Sequence, residues 1–315
     1  PSPSSSPSIA VNAFCLSIGQ SVDASTAIQL AINNANGRCI YFPQRTYIVS
    51  TQLTYVTTGD STGLCLIGAG MKRTFFDNRV ANGSLFSING AVTAFTLQIG
   101  LRIENFSIIT TTAPANSHGI TLKGVWLGTI ERLCIGGGVC KPTSSLGGGL
   151  TGDGIRFIGS LGDGDASANI SIRYCEIVDN TGIGINFAVD SGISNVPFVG
   201  IEHNQIDRNT GGGISLQALY TTISSNSIVQ NGNATGIGGL SVSYNGTAGR
   251  YSVIEHNQFD TNAPYHILIG AGVNHIIRSN EFRSNTATPP PGGGYTPDTH
   301  IIVGDGSHTP VNTTI

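Results

Sequence analysis

One short segment recurs along this chain and narrows what it can become. Ile201-Glu-His-Asn-Gln-Ile206, Ile223-Ser-Ser-Asn-Ser-Ile228, Ile254-Glu-His-Asn-Gln-Phe259 and Ile277-Arg-Ser-Asn-Glu-Phe282 share one register, with Asn204, Asn226, Asn257 and Asn280 at the fourth place. Ile172-Arg-Tyr-Cys-Glu-Ile177 keeps the register with Cys175 there, and weaker copies begin at Ile103 and Ile130. Self-similarity of this kind marks an architecture of stacked repeats.

A second apolar patch follows each unit, usually announced by glycine: Gly119-Ile-Thr-Leu122, Gly154-Ile-Arg-Phe157, Gly184-Ile-Asn-Phe187, Gly213-Ile-Ser-Leu216 and Gly239-Leu-Ser-Val242. Both patches alternate with period two, the strand signature, and Asn, Gly and Thr fill the turns between them. Repeat starts fall 22 to 42 residues apart. A propeller blade needs a regular four-strand hairpin array, whereas a coil of a parallel β-helix tolerates insertions at its turns. The reading is therefore all-β: a right-handed parallel β-helix, a solenoid whose inward Ile, Leu and Phe form columns at about 4.8 Å per rung. The four Asn residues then lie in one inward ladder that satisfies backbone groups at a sharp turn.

Composition agrees. Gly supplies 43 of 315 residues and only 10 % are charged, against a typical ~25 %, which excludes a helical bundle, while 39 % hydrophobic content excludes a disordered chain. One helical pattern stands out, Asp23 to Gly37, with Ala27, Ile28, Ala31 and Ile32 on one stripe and Asp23 or Ser25 as N-cap. At the first coil it reads as a cap over exposed strand edges. Residues 1–9 read as a flexible linker and 10–315 as one β-helix domain, with its cap at about 10–50 and an incomplete last coil that expects a further domain or partner.

The net charge is -3 and lysine occurs only at 72, 123 and 141, so no basic surface exists for nucleic acid, and no apolar run approaches the ~20 residues of a membrane helix. No residue set calls for a metal or other cofactor; Asp163 and Asp165 read as a plain turn sooner than a cation site. Cys39 and Cys65 sit in apolar strand-like runs and read as buried thiols. Cys134 and Cys140, flanking Ile-Gly-Gly-Gly-Val, are either two more or a loop disulfide.

Asn12-Ala-Phe, Gly19-Gln-Ser-Val-Asp23-Ala-Ser-Thr26-Ala-Ile-Gln29 and Cys39-Ile-Tyr-Phe-Pro43-Gln-Arg-Thr-Tyr47, taken with the Gly-Ile and Asn repeats, resemble pectate-lyase-superfamily β-helices, in particular bacteriophage tailspike depolymerases and polysaccharide lyases, hydrolases and epimerases. The resemblance spans roughly residues 10 to 315. It implies an extracellular or virion-surface protein acting on polysaccharide, and a homotrimer. The polygalacturonase, epimerase and pectate-lyase motifs that would fix the reaction are absent, so no catalytic residue carries over.

Candidate residues come from the aligned repeats. The second place of the unit, read up the stack, is Glu104, Glu131, Arg173, Glu202, Ser224, Glu255 and Arg278, and this column is expected to face solvent. Glu202 and Glu255 lie two rungs apart, about 9.6 Å, near the ~6.5 to 9.5 Å that an inverting glycosidase leaves between its carboxyls. Asp207 and Asp260 form a second pair flanking Val229. His203 and His256 are candidate bases for a lyase. Arg173 and Arg278 are candidate substrate contacts, as are Trp126 and Tyr220, six places after Ile120 and Ile214 and hence expected in one register. Beside this stands a plainer reading: 254–260 copies 201–207, so these groups are repeat consensus, and the arginines form surface ion-pair ladders. Long loops at 136–152, 159–169 and 284–299 are candidate binding walls. The expected function is cleavage of an extracellular or capsular polysaccharide by a carboxylate pair, Glu202 with Glu255 first; the alternatives are β-elimination and a non-catalytic spike, adhesin or fibre subunit.

Overall fold

The computed structural model describes residues 9–10, 22–56, 63–90, 98–141, 149–158, 167–188, 196–233, 237–242, 251–270, 272–283, 300–304 and 313–315. It is a right-handed parallel β-helix. Among the described residues every strand pairing is parallel, and the strands fall into a 17-stranded sheet, a 9-stranded sheet and one short pair. Residues 1–8 of the expected linker, 142–148 of the first candidate loop, most of the second, all of the third, and Asp163 and Asp165 lie outside the described residues, while Ile9 pairs with Ile40 as part of a short strand.

A coil such as Val199–Glu202, Gln205–Asp207 and Gly212–Leu216 takes the chain through two short strands of the large sheet and one of the nine-stranded sheet, while in two earlier coils Gln98–Ile109 and Val125–Gly136 each run through the large sheet as one long strand. Ile201 pairs with Ile223, which pairs with Ile254, which pairs with Ile277, so the aligned isoleucines stand in one file. All four are buried. The strands turn corners at single left-handed residues: Tyr174, His203, Ser225, His256 and Ser279 all have φ between 54° and 57°. The next residue points inward and carries the Asn ladder. The Asn226 Oδ1 accepts from the Asn204 backbone N–H at 2.9 Å and from its Nδ2 at 3.0 Å, while Asn204 Nδ2 also donates to the Ile172 carbonyl. The pattern repeats from Asn226 to Asn257 and from Asn257 to Asn280, and Cys175 enters it by donating its N–H to Asn204. A second ladder, which sequence reading did not single out, runs through Asn180, Asn209, Asn231 and Asn262 one corner further on.

The helix (α1, Ser25–Asn33) is shorter than the sequence pattern and begins one residue after Ala24; Asp23 Oδ1 accepts the Ser25 N–H at 2.9 Å. It buries Ile28, Ala31 and Ile32 on the first coil, and Gln29 exchanges two 2.8 Å hydrogen bonds with the backbone of Thr54, so its amide acts as a missing strand for that edge.

Two expectations fail. Cys39 and Cys65 are bonded to each other instead of being free thiols, while Cys134 and Cys140 form the loop disulfide that the sequence left open, and Cys175 is the buried free thiol. Register explains the first: Cys39 lies directly under Cys65 on adjacent rungs. Glu104 and Glu131 are outward but covered, 4 % and 6 % exposed, because Arg102, Arg132 and Arg173 fold over them at 2.6 to 2.7 Å.

Candidate functional site

The large sheet carries the carboxylates expected from the repeats. Glu202 and Glu255 flank Ser224, and Asp207 and Asp260 flank Val229, each pair two rungs apart. Their surroundings differ. Arg278 holds Glu255 at 2.7 Å, while Arg173, aligned with Glu202, turns away and pairs with Glu131. His203 and His256 are exposed corner residues, and His203 stacks on Tyr174 at 5.2 Å. Asp207 is 5 % exposed, paired through Oδ2 with Arg208, and its Oδ1 is buried with no hydrogen-bond partner among the described residues. Burial pushes the Asp207 carboxyl up from its ordinary value, against the pull of Arg208 and helped by nearby Asp179.

Trp126 and Tyr220 do not share a file. Trp126 pairs with Ala168, whereas Tyr220 and Leu127 are the left-handed corner residues two places before Thr222 and Thr129, and those threonines align through Gly200 and Ser171. The connection after Ile120 is one residue longer than that after Ile214, which moves Trp126 off the corner. Tyr220 lies between Phe198 and Tyr251, with ring centroids 5.1 and 5.0 Å away and near-parallel planes. Both of its faces are therefore taken, and it has none to offer a sugar ring.

The nine-stranded sheet carries a second group of polar side chains, which the repeats did not single out. Its outward file runs Ser87, Thr121, Arg156, Asn186, Ser215 and Ser241, one residue per rung. Outward serines of the large sheet, Ser224 and Ser227, are half-buried, yet Ser215 and Ser241 are only 6 % and 3 % exposed. The file is thus a polar strip, largely covered at Ser87, Thr121, Ser215 and Ser241 and half-buried at Arg156 and Asn186. Among the described residues the Ser215 and Ser241 hydroxyls take no hydrogen bond.

Near the lower end of this file, Ser117-His118-Gly119 and Gly152-Asp153-Gly154 place His118 and Asp153 next to two Gly-Ile pairs. His118 is 6 % and Asp153 7 % exposed. The Asp153 N–H donates to His118 Nδ1 at 2.8 Å, so the neutral ring carries its proton on Nε2. Burial pushes the His118 pKa down, partly offset by Asp153, with Arg156 adding to the fall. Asp153 Oδ1 accepts from the Ile183 N–H and Oδ2 from Asn186 Nδ2, both at 2.9 Å. Arg156 Nε, 3.9 Å from Asp153, is buried without a hydrogen-bond partner, and Ser84 and Thr121 share a hydrogen bond beside this group. A signal was present: other repeats carry Ile183, Gly212 or Gly238 at the place of His118 and Asp153. These two side chains stand where the repeat is broken.

One set of metal-capable side chains converges among the described residues, Cys134, Cys140 and Glu176, and its two sulfurs are joined in a disulfide. No helix among them is long and apolar enough to cross a membrane.

No family model and no curated protein matches the chain. Its fold is similar to those of three solved phage proteins. ORF18 of Geobacillus virus E2 superposes with TM-score 0.60 at 16 % identity, over 98 % of this chain and 60 % of that one. The Dettilon tailspike protein gives 0.54 at 12 %, over 98 % and 61 %. The enzymatically active domain of tailspike protein 2 of bacteriophage CBA120 gives 0.58 at 12 %, over 94 % and 40 %. The chain spans about three-fifths of the length of the first two.

Proposed function

We propose that the outward polar file of the nine-stranded sheet is the floor of a trough in which this β-helix binds an extended polysaccharide, and that it cleaves the chain at the cluster of His118, Asp153 and Arg156. The observation that carries this reading is the file of hydroxyl, amide and guanidinium groups, in which Arg156 Nε and the Ser215 and Ser241 hydroxyls have no hydrogen-bond partner among the described residues. Such groups match a hydroxyl-rich ligand and cost free energy while unpaired. Asp153 supplies a fixed carboxylate, and the neutral His118 ring a donor held in one tautomer by its backbone partner. The fold shared with tailspikes supports a glycan as ligand by analogy only. The two disulfides support an oxidising, extracellular setting.

A second reading keeps hydrolysis on the large sheet, with Asp207 as general acid and Asp260 as base about 9.6 Å away across Val229. The raised Asp207 pKa favours it over the Glu202 and Glu255 pair, because a general acid must hold its proton at working pH. Incubating a panel of capsular and plant polysaccharides with the protein, and following new reducing ends together with ultraviolet absorbance of unsaturated ends, tests all readings. New reducing ends alone indicate hydrolysis, and added absorbance indicates elimination. Loss of cleavage in Asp153→Asn with retention in Asp207→Asn supports the trough; the reverse supports the large sheet. Binding without cleavage leaves a non-catalytic spike or adhesin.

A further inference from the structure

Cys134, in the strand Val125–Gly136, lies directly under Glu176 on the next rung, and both side chains stand on the outer face of the large sheet. The chain then doubles back. Gly136 and Gly138 have φ of 125° and 48°, and the 3-10 turn Gly138–Cys140 brings Cys140 over the strand that holds Cys134. Among the described residues this is where three metal-capable side chains converge: the ligand atoms of Cys134, Cys140 and Glu176 all lie within 4.8 Å of one another.

Glu176 faces a partner that gives it nothing in the oxidised protein. Its Oε2 lies 3.3 Å from Cys134 Sγ, and a sulfur bonded to sulfur carries no hydrogen to donate. Lys72 Nζ meets the same carboxylate at 2.8 to 2.9 Å. The Lys72 backbone N–H donates to Oγ of Ser107, the residue directly under Cys134, so the ammonium is anchored on the same file. Phe75, Ile109 and Val178 pack around both sulfurs, which are fully buried.

We infer that this group has two fastened states: a disulfide when oxidised and, when reduced, a site for a thiophilic dication such as zinc, with the Cys134 and Cys140 thiolates and the Glu176 carboxylate as ligands. Reduction by a dithiol adds two electrons and two protons to the sulfur–sulfur bond and turns the dithiol into its own disulfide; the dication then displaces both thiol protons. In a tetrahedral site, with Zn–S about 2.3 Å and Zn–O about 2.0 Å, a sulfur and an oxygen stand about 3.5 Å apart. Cys134 and Glu176 are close to that spacing at 3.3 Å. Cys140 is the ligand that has to move, to about 3.8 Å from Cys134, and it rides on a turn flanked by glycines. Two thiolates and one carboxylate against the dication and the Lys72 ammonium sum to zero, so filling the site leaves no net charge in a poorly hydrated place. Sulfur donors select zinc and its heavier congeners over magnesium or calcium. The turn then stays tied to the sheet in reducing surroundings as it does in oxidising ones.

The test is anaerobic titration of the full chain with Cd(II) alone, before and after reduction by a phosphine, following the ultraviolet thiolate-to-cadmium charge-transfer band. Reduction also frees Cys39 and Cys65, so the titration is run in Cys39→Ser with Cys65→Ser as well as in the parent. The reduced double variant is expected to bind one Cd(II) per chain and its oxidised form none. Adding Cys134→Ser is expected to abolish the band, and adding Glu176→Gln to keep the stoichiometry while weakening affinity at least about tenfold. Circular dichroism verifies that each protein is folded; if a serine variant is not, Glu176→Gln in the otherwise native chain, which keeps every sulfur, decides by the same weakening. Uptake that persists in Cys134→Ser, is as tight in Glu176→Gln as in its parent, or is absent from the reduced chain would overturn the inference. Loss of the β-sheet signal on reduction would overturn it too, since the fold is what brings the three ligands together.

Discussion

The backbone N–H of Asp153 donates to Nδ1 of His118 across 2.8 Å, linking residues 35 positions apart on adjacent rungs of one sheet. This contact fixes the ring orientation and its tautomer, and it sets the carboxylate of Asp153 beside Arg156. Asp153→Asn keeps the shape and removes the charge, so it is expected to lower kcat on a cleaved polysaccharide by about 10²- to 10⁴-fold. Glu202→Gln and Glu255→Gln are expected to turn over as the parent does. Steady-state kinetics on all three variants decide this, and loss confined to the glutamate variants would count against the trough.

Asn226 has no substitute in its ladder. Its Oδ1 accepts two hydrogen bonds from Asn204, and its Nδ2 donates to the Ile201 carbonyl and to Asn257. Asn226→Ala leaves these groups buried and unmatched, a loss of about 3 kcal/mol. Denaturant unfolding measures it. A change below 1 kcal/mol would mean that water replaces the ladder.

His266 is fully buried, accepting at Nδ1 from Asn262 and donating from Nε2 to the Arg283 carbonyl. Burial, opposed by the Arg283 carbonyl, takes its pKa down to about 4 from 6.5. The unfolded chain then binds the proton more readily than the folded one. Stability from this group is complete above pH 6.5 and declines as pH falls toward 4, by up to about 3 kcal/mol. Thermal melts at neutral and mildly acidic pH should show the decline, and His266→Gln should flatten it; identical slopes in both proteins would refute the assignment.

The two disulfides close loops of different length, with sequence separations of 26 and 6. On the chain-entropy account, removing the first costs about 3.5 kcal/mol and the second about 2. Calorimetry of Cys39→Ser with Cys65→Ser, against Cys134→Ser with Cys140→Ser, should rank the melting points in that order. The opposite ranking would point to native-state contacts around Cys134 and Cys140, which are both fully buried beside Phe75, Ile109 and Val178.

Much of the fold was legible because its cause is local. Ile201 and Ile254 announce their burial by alternating with polar neighbours, and the Asn at the fourth place announces the corner. The site was less legible for the same reason. Glu202, His203, Glu255 and His256 repeat and so drew notice, whereas His118 and Asp153 occur once each in different coils. One extra residue before Trp126 separated it from Tyr220, and no periodicity registers a single insertion. The Cys39–Cys65 bond required knowing that 26 residues make one turn at that point.

The sequence by itself determined the β-helix, its capping helix and its inward files, since alternation and turn chemistry act within a few residues. Only the tertiary structure decided which outward groups are exposed, paired or left without partners. That depends on what lies one rung above and below and on which segments cover a face, distances that no window along the chain contains. Ser224 and Ser215 are both outward serines in short strands, and only their surroundings make one half-buried and the other almost fully covered.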